Sequence, residues 1–431
     1  VKGVNRTTTP LEAYSERHVN PRSSTLFYGW VVVAVTALVL VVTAGARSAP
    51  GAWLLEMERD TGWSRGALSF AASLGLILFG LGGPISGGLM ARFGVRKVTL
   101  LSLALTALSL WLSSRLTSQL ELNLFFGLLS GIGTGLVASV LGATVANRWF
   151  LERRGFVIGI FGASTSAGQL IFYPLLTTLA VTIGWRSSAV VLALIAVAIS
   201  VPVLLLLRED PADVDARPLG AKEGEASRTP GATPGIMARA LKTPEFWLLA
   251  ITFYICGATS NGLIGQHLIP HAVDHGLKQP VAAGLVALMG AFNFVGTIAS
   301  GWLTDRYDPR KLLLCYYGFR GLSLLLLPFM HDVAGLSVFA VLFGLDYIAT
   351  VPPTVMLVAR HFGRHNVGVV YGWVFAAHQL GAALAAWIGG VTRDALGEYT
   401  LAFLVAGGIA MLGGALALTI KRDPPPLVAG D

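Results

Sequence analysis

The sequence predicts an all-α membrane protein, with twelve transmembrane helices in two pseudo-symmetric six-helix bundles. Three observations predict it. The first is composition: of 431 residues, 54% are hydrophobic and 13% charged, against roughly 25% charged in a soluble domain. The second is a succession of twelve apolar runs, each near the about 20 residues that cross a hydrocarbon core as a helix. The third is a repeat. Gly87 to Lys97 reads GGLMARFGVRK, and Gly301 to Lys311 reads GWLTDRYDPRK, 214 residues later. A charged hairpin that recurs between apolar runs implies two homologous halves side by side in lipid.

The elements follow in order. Residues 1–26 are polar, with no apolar segment of signal-peptide type, and read as a solvated tail. Helix 1 begins near Phe27 and runs to about Pro50. Helix 2 covers 64–90, helix 3 95–115, helix 4 120–147, helix 5 155–181 and helix 6 186–207. These make an N-terminal bundle over 27–207. Residues 208–243 are rich in charge, Pro and Gly, and read as a flexible linker with a short amphipathic segment near Ile236 to Leu241. Helices 7 (244–271), 8 (279–304), 9 (310–330), 10 (334–359), 11 (366–391) and 12 (398–420) make a C-terminal bundle over 244–420. Residues 421–431 form a tail. The repeat extends past the hairpins: Gly155–Gly159 matches Gly368–Gly372, and Arg148-Trp149-Phe150 matches Arg360-His361-Phe362. Halves in the same orientation place a binding site between them at the midplane.

Charge orients the chain. With both termini and the even-to-odd connections on one side, that side holds 23 Lys and Arg and the other holds 6; Arg47 and Arg320 lie inside helices, completing 31. Cytoplasmic loops collect Lys and Arg, so both termini are expected in the cytoplasm and the hairpins with them. The net charge of +8 is then topological, and no nucleic acid is expected. Cys256 and Cys315 are single residues in apolar runs and offer neither a disulfide framework nor a metal site. The 51 glycines suit helices that pack closely in lipid. Gly142, Gly159, Gly168 and Pro174, with Pro352-Pro353, mark expected sites of close packing or bending.

Gly87-xxx-Ala91-Arg92-Phe93-Gly94-Val95-Arg96-Lys97 resembles the cytoplasmic loop motif of the major facilitator superfamily, Gly-xxx-Asp-Arg-x-Gly-Arg-Arg/Lys. Gly301-xxx-Asp305-Arg306 resembles it again. Tyr28-Gly29-Trp30-Val31-Val32, and Trp149-Phe150-Leu151-Glu152-Arg153-Arg154-Gly155, resemble the monocarboxylate-transporter branch, near which bacterial oxalate–formate exchangers also lie. The resemblance implies the major facilitator fold and secondary active transport of a small organic anion, by proton coupling or exchange. It implies gating by charge pairs at the cytoplasmic ends, with Arg92, Arg96, Arg153, Arg154, Asp305 and Arg306 as the gate and Asp305 facing Arg153 or Arg154. Lipid-headgroup anchoring is the alternative for these residues. The chain departs from the pattern in four places. Asp308 stands in the second copy where Gly94 stands in the first. Ala91 stands where the motif has Asp. Asn293 and Thr297 stand where animal monocarboxylate transporters carry an Asp and an Arg. His378-Gln379 lies in helix 11, which lacks the lysine of oxalate exchangers.

Ionisable residues inside the membrane cost roughly 2.5–3.5 kcal/mol at the helix centre and are functional candidates by default. Asp346 is about 12 residues into helix 10 and Arg320 about 10 into helix 9. They match in depth. Asp346 is therefore either half of a structural ion pair with Arg320 or the site of the coupling proton. Arg47, in the outer third of helix 1, either attracts an anionic substrate or snorkels to the headgroups. His378 belongs to the residue type that changes charge near neutral pH, and is a proton site, a substrate site or a structural histidine. Thr165, Gln169, Asn261, Asn293, His378 and Gln379 share a mid-depth layer, with Tyr173 and Tyr254 within two turns. With Arg47, these are the candidate substrate residues; each singly could be interhelical glue. His267 and His271, one turn apart, read as lining the outer mouth and not as a metal pair.

No GxSxG elbow, zinc pattern or Walker loop is present, so neither an enzyme nor an ATP-driven pump is expected, and no cofactor. The competing transport reading is a proton-driven exporter of larger amphipathic compounds. The expected partners are a small carboxylate, a proton and the lipid bilayer, with the chain acting as a monomer. The expected location is the plasma membrane, or the inner membrane of a bacterium.

Overall fold

The computed structural model describes residues 27–221, 233–363 and 366–422, without the side chains of 138, 139, 154 and 155. The expected tail 1–26 and most of 421–431 lie outside the described residues. Among the described residues, twelve helices are long and apolar enough to cross a membrane: α1 (Gly29–Thr61), α2 (Arg65–Phe93), α3 (Val95–Ser113), α4 (Gln119–Trp149), α5 (Arg154–Ile183), α6 (Trp185–Leu206), α7 (Pro244–Asp274), α8 (Gln279–Thr304), α9 (Pro309–Phe329), α10 (Val333–Phe362), α11 (Val367–Leu396) and α12 (Thr400–Thr419).

Packing repeats with a shift of six helices. In the first bundle α1 packs on α5, α2 on α4, and α3 on α6. In the second, α7 packs on α11, α8 on α10, and α9 on α12. The bundles meet along two seams related by the same shift, α2 on α11 and α5 on α8. Large apolar side chains such as Leu194, Ile298 and Phe319 are exposed. In lipid this is the expected outward face, because acyl chains replace water there.

Four features differ from expectation. First, α1 does not stop at Pro50 but runs on to Thr61. The proline ring crowds the carbonyl four residues back, which belongs to Ala46. That residue and the neighbours Ala49, Gly51 and Ala52 are small and buried, so the helix adjusts around the ring and continues. It stops at Gly62, whose φ of +69° suits a residue without Cβ and whose N–H reaches the Glu58 carbonyl. Second, α7 carries a π-helical stretch, Ala258–Ile264, and α4 another, Leu122–Leu129. Third, α10 is two helices, Val333–Asp346 and Val351–Phe362, separated by a turn. Pro352 and Pro353 open the second, where a missing N–H costs nothing. Fourth, the described ends of the linker are docked. Leu219 exchanges backbone hydrogen bonds with Trp149, Leu151 and Glu152 beneath the first bundle. The helix Ile236–Ala240 buries Ile236 and Ala240 against the second.

Among the expected packing sites, Gly142 lies against Phe161 and Gly168 against Val41 and Ala44. Gly159 does not pack: an added Cβ would meet nothing within 4 Å.

Candidate functional site

The break in α10 organises the centre. Asp346, Tyr347 and their neighbours leave the helical ladder, and backbone groups freed inside lipid need partners. Arg320 of α9 supplies donors. Its Nε donates to Asp346 Oδ2 at 2.6 Å, and its Nη2 donates to the Asp346 and Tyr347 carbonyls at 2.9 and 3.3 Å. Its Nη1 faces Cys256 Sγ at 2.9 Å and Thr259 Oγ1 at 3.4 Å. Asn293 of α8 serves the other side of the break: its Oδ1 accepts from Ile348 N–H at 3.1 Å and from Thr297 at 3.2 Å. Its Nδ2 donates across the seam to Ser166 at 3.4 Å.

Beside the break lies a crevice between the bundles, lined by Gln169 and Tyr173 of α5, Gly265 of α7, Met289 and Asn293 of α8, and Tyr347 of α10. Its free volume is about 10 Å³, room for one water. Tyr173 closes it by donating to the Gly265 carbonyl at 2.7 Å, and Tyr347 donates to Asn261 Oδ1 at 2.8 Å. Arg47 stands within electrostatic range of both phenols. Its guanidinium lies over the Phe79 ring at 4.5 Å, and among the described residues it makes no ion pair and no hydrogen bond. Because α1 is longer than expected, Arg47 is near the middle of a 33-residue helix. It is neither in the outer third nor snorkelling to headgroups.

The mid-depth layer therefore divides. Gln169, Tyr173, Asn293 and, through Tyr347, Asn261 surround the crevice. Thr165 donates to the Phe161 carbonyl of its own helix at 3.2 Å. Tyr254 packs where α7 passes Gly381. His378 is buried between Phe253 and Phe375, and Gln379 is buried against Gly80. His378 and Gln379 do not line the crevice, because their turn of α11 faces α7 and α2.

The two ends of the molecule differ. At the end away from the hairpins, Arg65 at the start of α2 is a hub, where the sequence marks it only as an outer-loop charge. It pairs with Asp274 of α7 through Nη1 and Nη2, at 2.7 and 2.9 Å. It also donates to Glu58 at 2.9 Å and Tyr399 at 3.1 Å. Asp274 accepts from Arg393 at 2.8 Å. Asp394 accepts from the N–H groups of Arg65 and Gly66 at 3.2 and 2.7 Å, capping α2 from the other bundle. The signal for this cluster is the charge gathered at four helix ends, but which ends meet depends on three-dimensional packing. Next inward, Ser73 donates to the Ala383 carbonyl across the seam.

At the hairpin end, Arg92, Arg96, Arg153, Asp305 and Arg306 make no ion pair between the bundles among the described residues. Arg92 lies over Phe93 and Arg306 over Trp302, while Asp305 is exposed and caps α8. Arg153 adopts φ +59° at the start of α5. Arg96 lines an open cavity of about 480 Å³ with Arg148, Arg208 and Glu209. An added Cβ at Gly88, Gly301 or Gly368 would meet nothing within 4 Å, in contrast to the tight glycines at the other end. Among the described residues, the expected pair of Asp305 with Arg153 is not formed. The side chain of Arg154 lies outside the described residues.

The hairpins share a device that the motif does not advertise. In the second, Asp308 Oδ1 accepts from Arg310 N–H at 3.0 Å, and its carboxylate pairs with the Arg310 guanidinium at 2.7 Å. Those hydrogen bonds hold the Asp308 carboxyl below the usual carboxylate range. In the first, Gly94 occupies the matching position with φ +93°. The carboxylate comes instead from Glu209, just past α6, which accepts from Val95 N–H at 2.5 Å and Arg96 N–H at 3.0 Å. Arg148 adds a contact to Glu209 at 3.5 Å.

Known proteins agree with this architecture. The chain is 27% identical over 397 residues to rat (Rattus norvegicus) monocarboxylate transporter 13, covering 92% of this chain and 89% of that protein. It is 29% identical to mouse (Mus musculus) monocarboxylate transporter 11, covering 92% and 88%. It is 26% identical to the uncharacterized MFS-type transporter YcxA of Bacillus subtilis, covering 92% and 95%. Its fold matches a bacterial homologue of the human lysosomal transporter Spinster in an inward-facing conformation, with a TM-score of 0.72, 15% identity and coverage of 94% and 100%. It also matches the xylose transporter XylE of E. coli, with a TM-score of 0.69, 14% identity and coverage of 91% and 97%. The sequence signature of the Major Facilitator Superfamily fits residues 36–357 and, overlapping, 270–430. This multi-pass membrane protein, built as two six-helix bundles around a central crevice, belongs to the Major Facilitator Superfamily of transporters.

Proposed function

We propose that the chain carries small organic anions, monocarboxylates first among them, across the plasma membrane by alternating access, with Arg47 holding the carboxylate. The observation that carries this reading is the bare Arg47 guanidinium beside the crevice. A cation at the bilayer centre is costly unless it serves a partner, and a guanidinium matches a carboxylate in a two-pronged hydrogen bond. Tyr173, Tyr347, Asn261 and Gln169 offer neutral polar groups around it, and Phe79 an apolar wall. The names of the curated relatives support the class. The carboxylate enters by breaking the Tyr173–Gly265 contact that closes the crevice.

In this reading the hairpins and both termini are cytoplasmic, and the conformation is open inward. Arg92, Arg96, Arg153, Arg154, Asp305 and Arg306 then approach when the opposite, outward-open state forms. Arg320 and Asp346 clamp the α10 break. Each chain holds a complete site, so a monomer suffices. The test is binding and uptake in proteoliposomes with a panel of mono- and dicarboxylates. Losing a charged hydrogen bond costs about 1.5–3 kcal/mol, so Arg47→Ala weakens binding about ten- to hundredfold and Arg47→Lys recovers part. Unchanged carboxylate affinity in Arg47→Ala would refute the reading.

A further inference from the structure

Four of the chain's eight histidines meet at the end away from the hairpins. His267, His271 and His275 recur at every fourth residue, the spacing that stacks side chains on one helical face. His331 comes from the connection between α9 and α10. The His331 and His275 rings stack with centroids 4.4 Å apart, and His275 meets His271 at 4.4 Å. His271 meets Phe403 at 5.0 Å, and His267 faces Tyr399 at 5.1 Å. His331 and His275 are exposed, whereas His271 and His267 are buried. Three imidazoles thus run in contact from the surface inward, and the fourth continues the line behind Tyr399. Tyr399 is also the phenol that accepts from Arg65.

His271 is the unusual member. It is 2% exposed, yet among the described residues neither ring nitrogen has a partner. The charged and titratable groups in range of His271 are Asp274, His275 and His331. Those in range of His267 are Arg65 and Asp394. Glu58 and Arg393 complete the cluster through Arg65 and Asp274. Asp274 is the carboxylate in electrostatic range of His271, and both its oxygens are already taken by Arg65 and Arg393.

We propose that this histidine column is a proton-binding site through which the medium outside unlocks the Arg65–Asp274 cluster, so that the coupling proton acts at the outer gate and not beside the substrate. The inference rests on the alternating-access reading above. A proton from water adds to a ring nitrogen and makes an imidazolium, with no other bond changed. While the cluster is closed, an imidazolium at His271 is shielded from solvent and has no acceptor among the described residues, and burying a bare charge is strongly disfavoured. It is relieved either by taking Asp274 from Arg65 or by admitting water, and both part the bundles. The sign follows: burial in the closed form disfavours a charge on His271, the open form accepts the proton there, and acid therefore favours opening.

The experiment measures distance in the full chain in lipid nanodiscs, without substrate. Spin labels at Ser187→Cys and Ala334→Cys, with Cys256→Ser and Cys315→Ser, report the separation of the bundles at the outer end. Going from about pH 8 to about pH 5.5, the range in which histidine changes charge, raises the ratio of long to short separations at least about fivefold, the lower end of coupling between two sites. His271→Gln with His275→Phe and His331→Phe keeps the packing and abolishes the shift. His331→Phe alone, at an exposed position, reduces it. Asp274→Asn gives long separations at both pH values. Absence of a shift in the unaltered column, full persistence in the triple variant, or short separations in Asp274→Asn would each overturn the proposal. Failure of the carboxylate reading would leave these distances unmoved and would show only as unaltered binding in Arg47→Ala.

Discussion

Arg320→Met tests whether the centre is held by the clamp on α10. Arg320 is fully buried and donates to the Asp346 carboxylate and to two carbonyls at the break. Methionine fills similar space and removes every donor. The Asp346 carboxylate would then be stranded, because its Oδ1 already has no partner among the described residues. Removing one partner of a buried ion pair costs about 3–5 kcal/mol. Removing both, in Arg320→Met with Asp346→Asn, takes away the stranded charge, and uncharged replacement of a buried pair is often neutral or stabilising by about 1–4 kcal/mol. The assay is thermal unfolding in detergent, followed by the fluorescence of the ten tryptophans. For a cooperative unit of about 150–250 residues, each kcal/mol moves the midpoint by roughly 2–4 °C. The single variant should melt about 6–20 °C lower, and the double variant should recover more than half of that loss. A single variant that melts with the parent, or a double variant that melts below the single, would refute the clamp.

The two hairpins give the remaining predictions. Glu209→Ala uncovers the first amides of α3 and should cost about 0.5–2 kcal/mol, the range for a lost helix cap; an unchanged melting midpoint would contradict the capping role. Asp308, held below the usual range by Arg310, contributes stability that is present above the free carboxyl value of about 3.9 and is lost as the pH falls through its lower folded value. Acidification below about pH 4 should therefore lower the melting midpoint more in the parent than in Asp308→Asn, and equal slopes would show that the pair is idle.

Part of the candidate site is legible in residue order and part is not. Asp346 and Arg320 can be paired because each is the ionisable residue at matching depth in neighbouring helices, and depth is a property of sequence position. Arg47 stands out for its chemistry, but ending helix 1 near residue 50 puts it too near the surface. Small neighbours let α1 continue past that proline, which is a packing fact. His378 and Gln379 share the depth of Gln169 and Asn293 but not their direction. Depth is fixed by position along a helix, whereas facing depends on which helix lies alongside.

Residue order alone settles the frame: twelve crossings, their grouping into halves, and the repeated hairpins. Apolar length and charge spacing are local quantities, and lipid leaves a backbone few alternatives to a helix. Folding in three dimensions settles which charges meet. Asp274 joins Arg65 and Arg393 from distant parts of the chain, and Glu209 takes the place that Asp308 fills in the other half. Such meetings depend on the packing of whole helices against one another, and no local pattern in the chain encodes them.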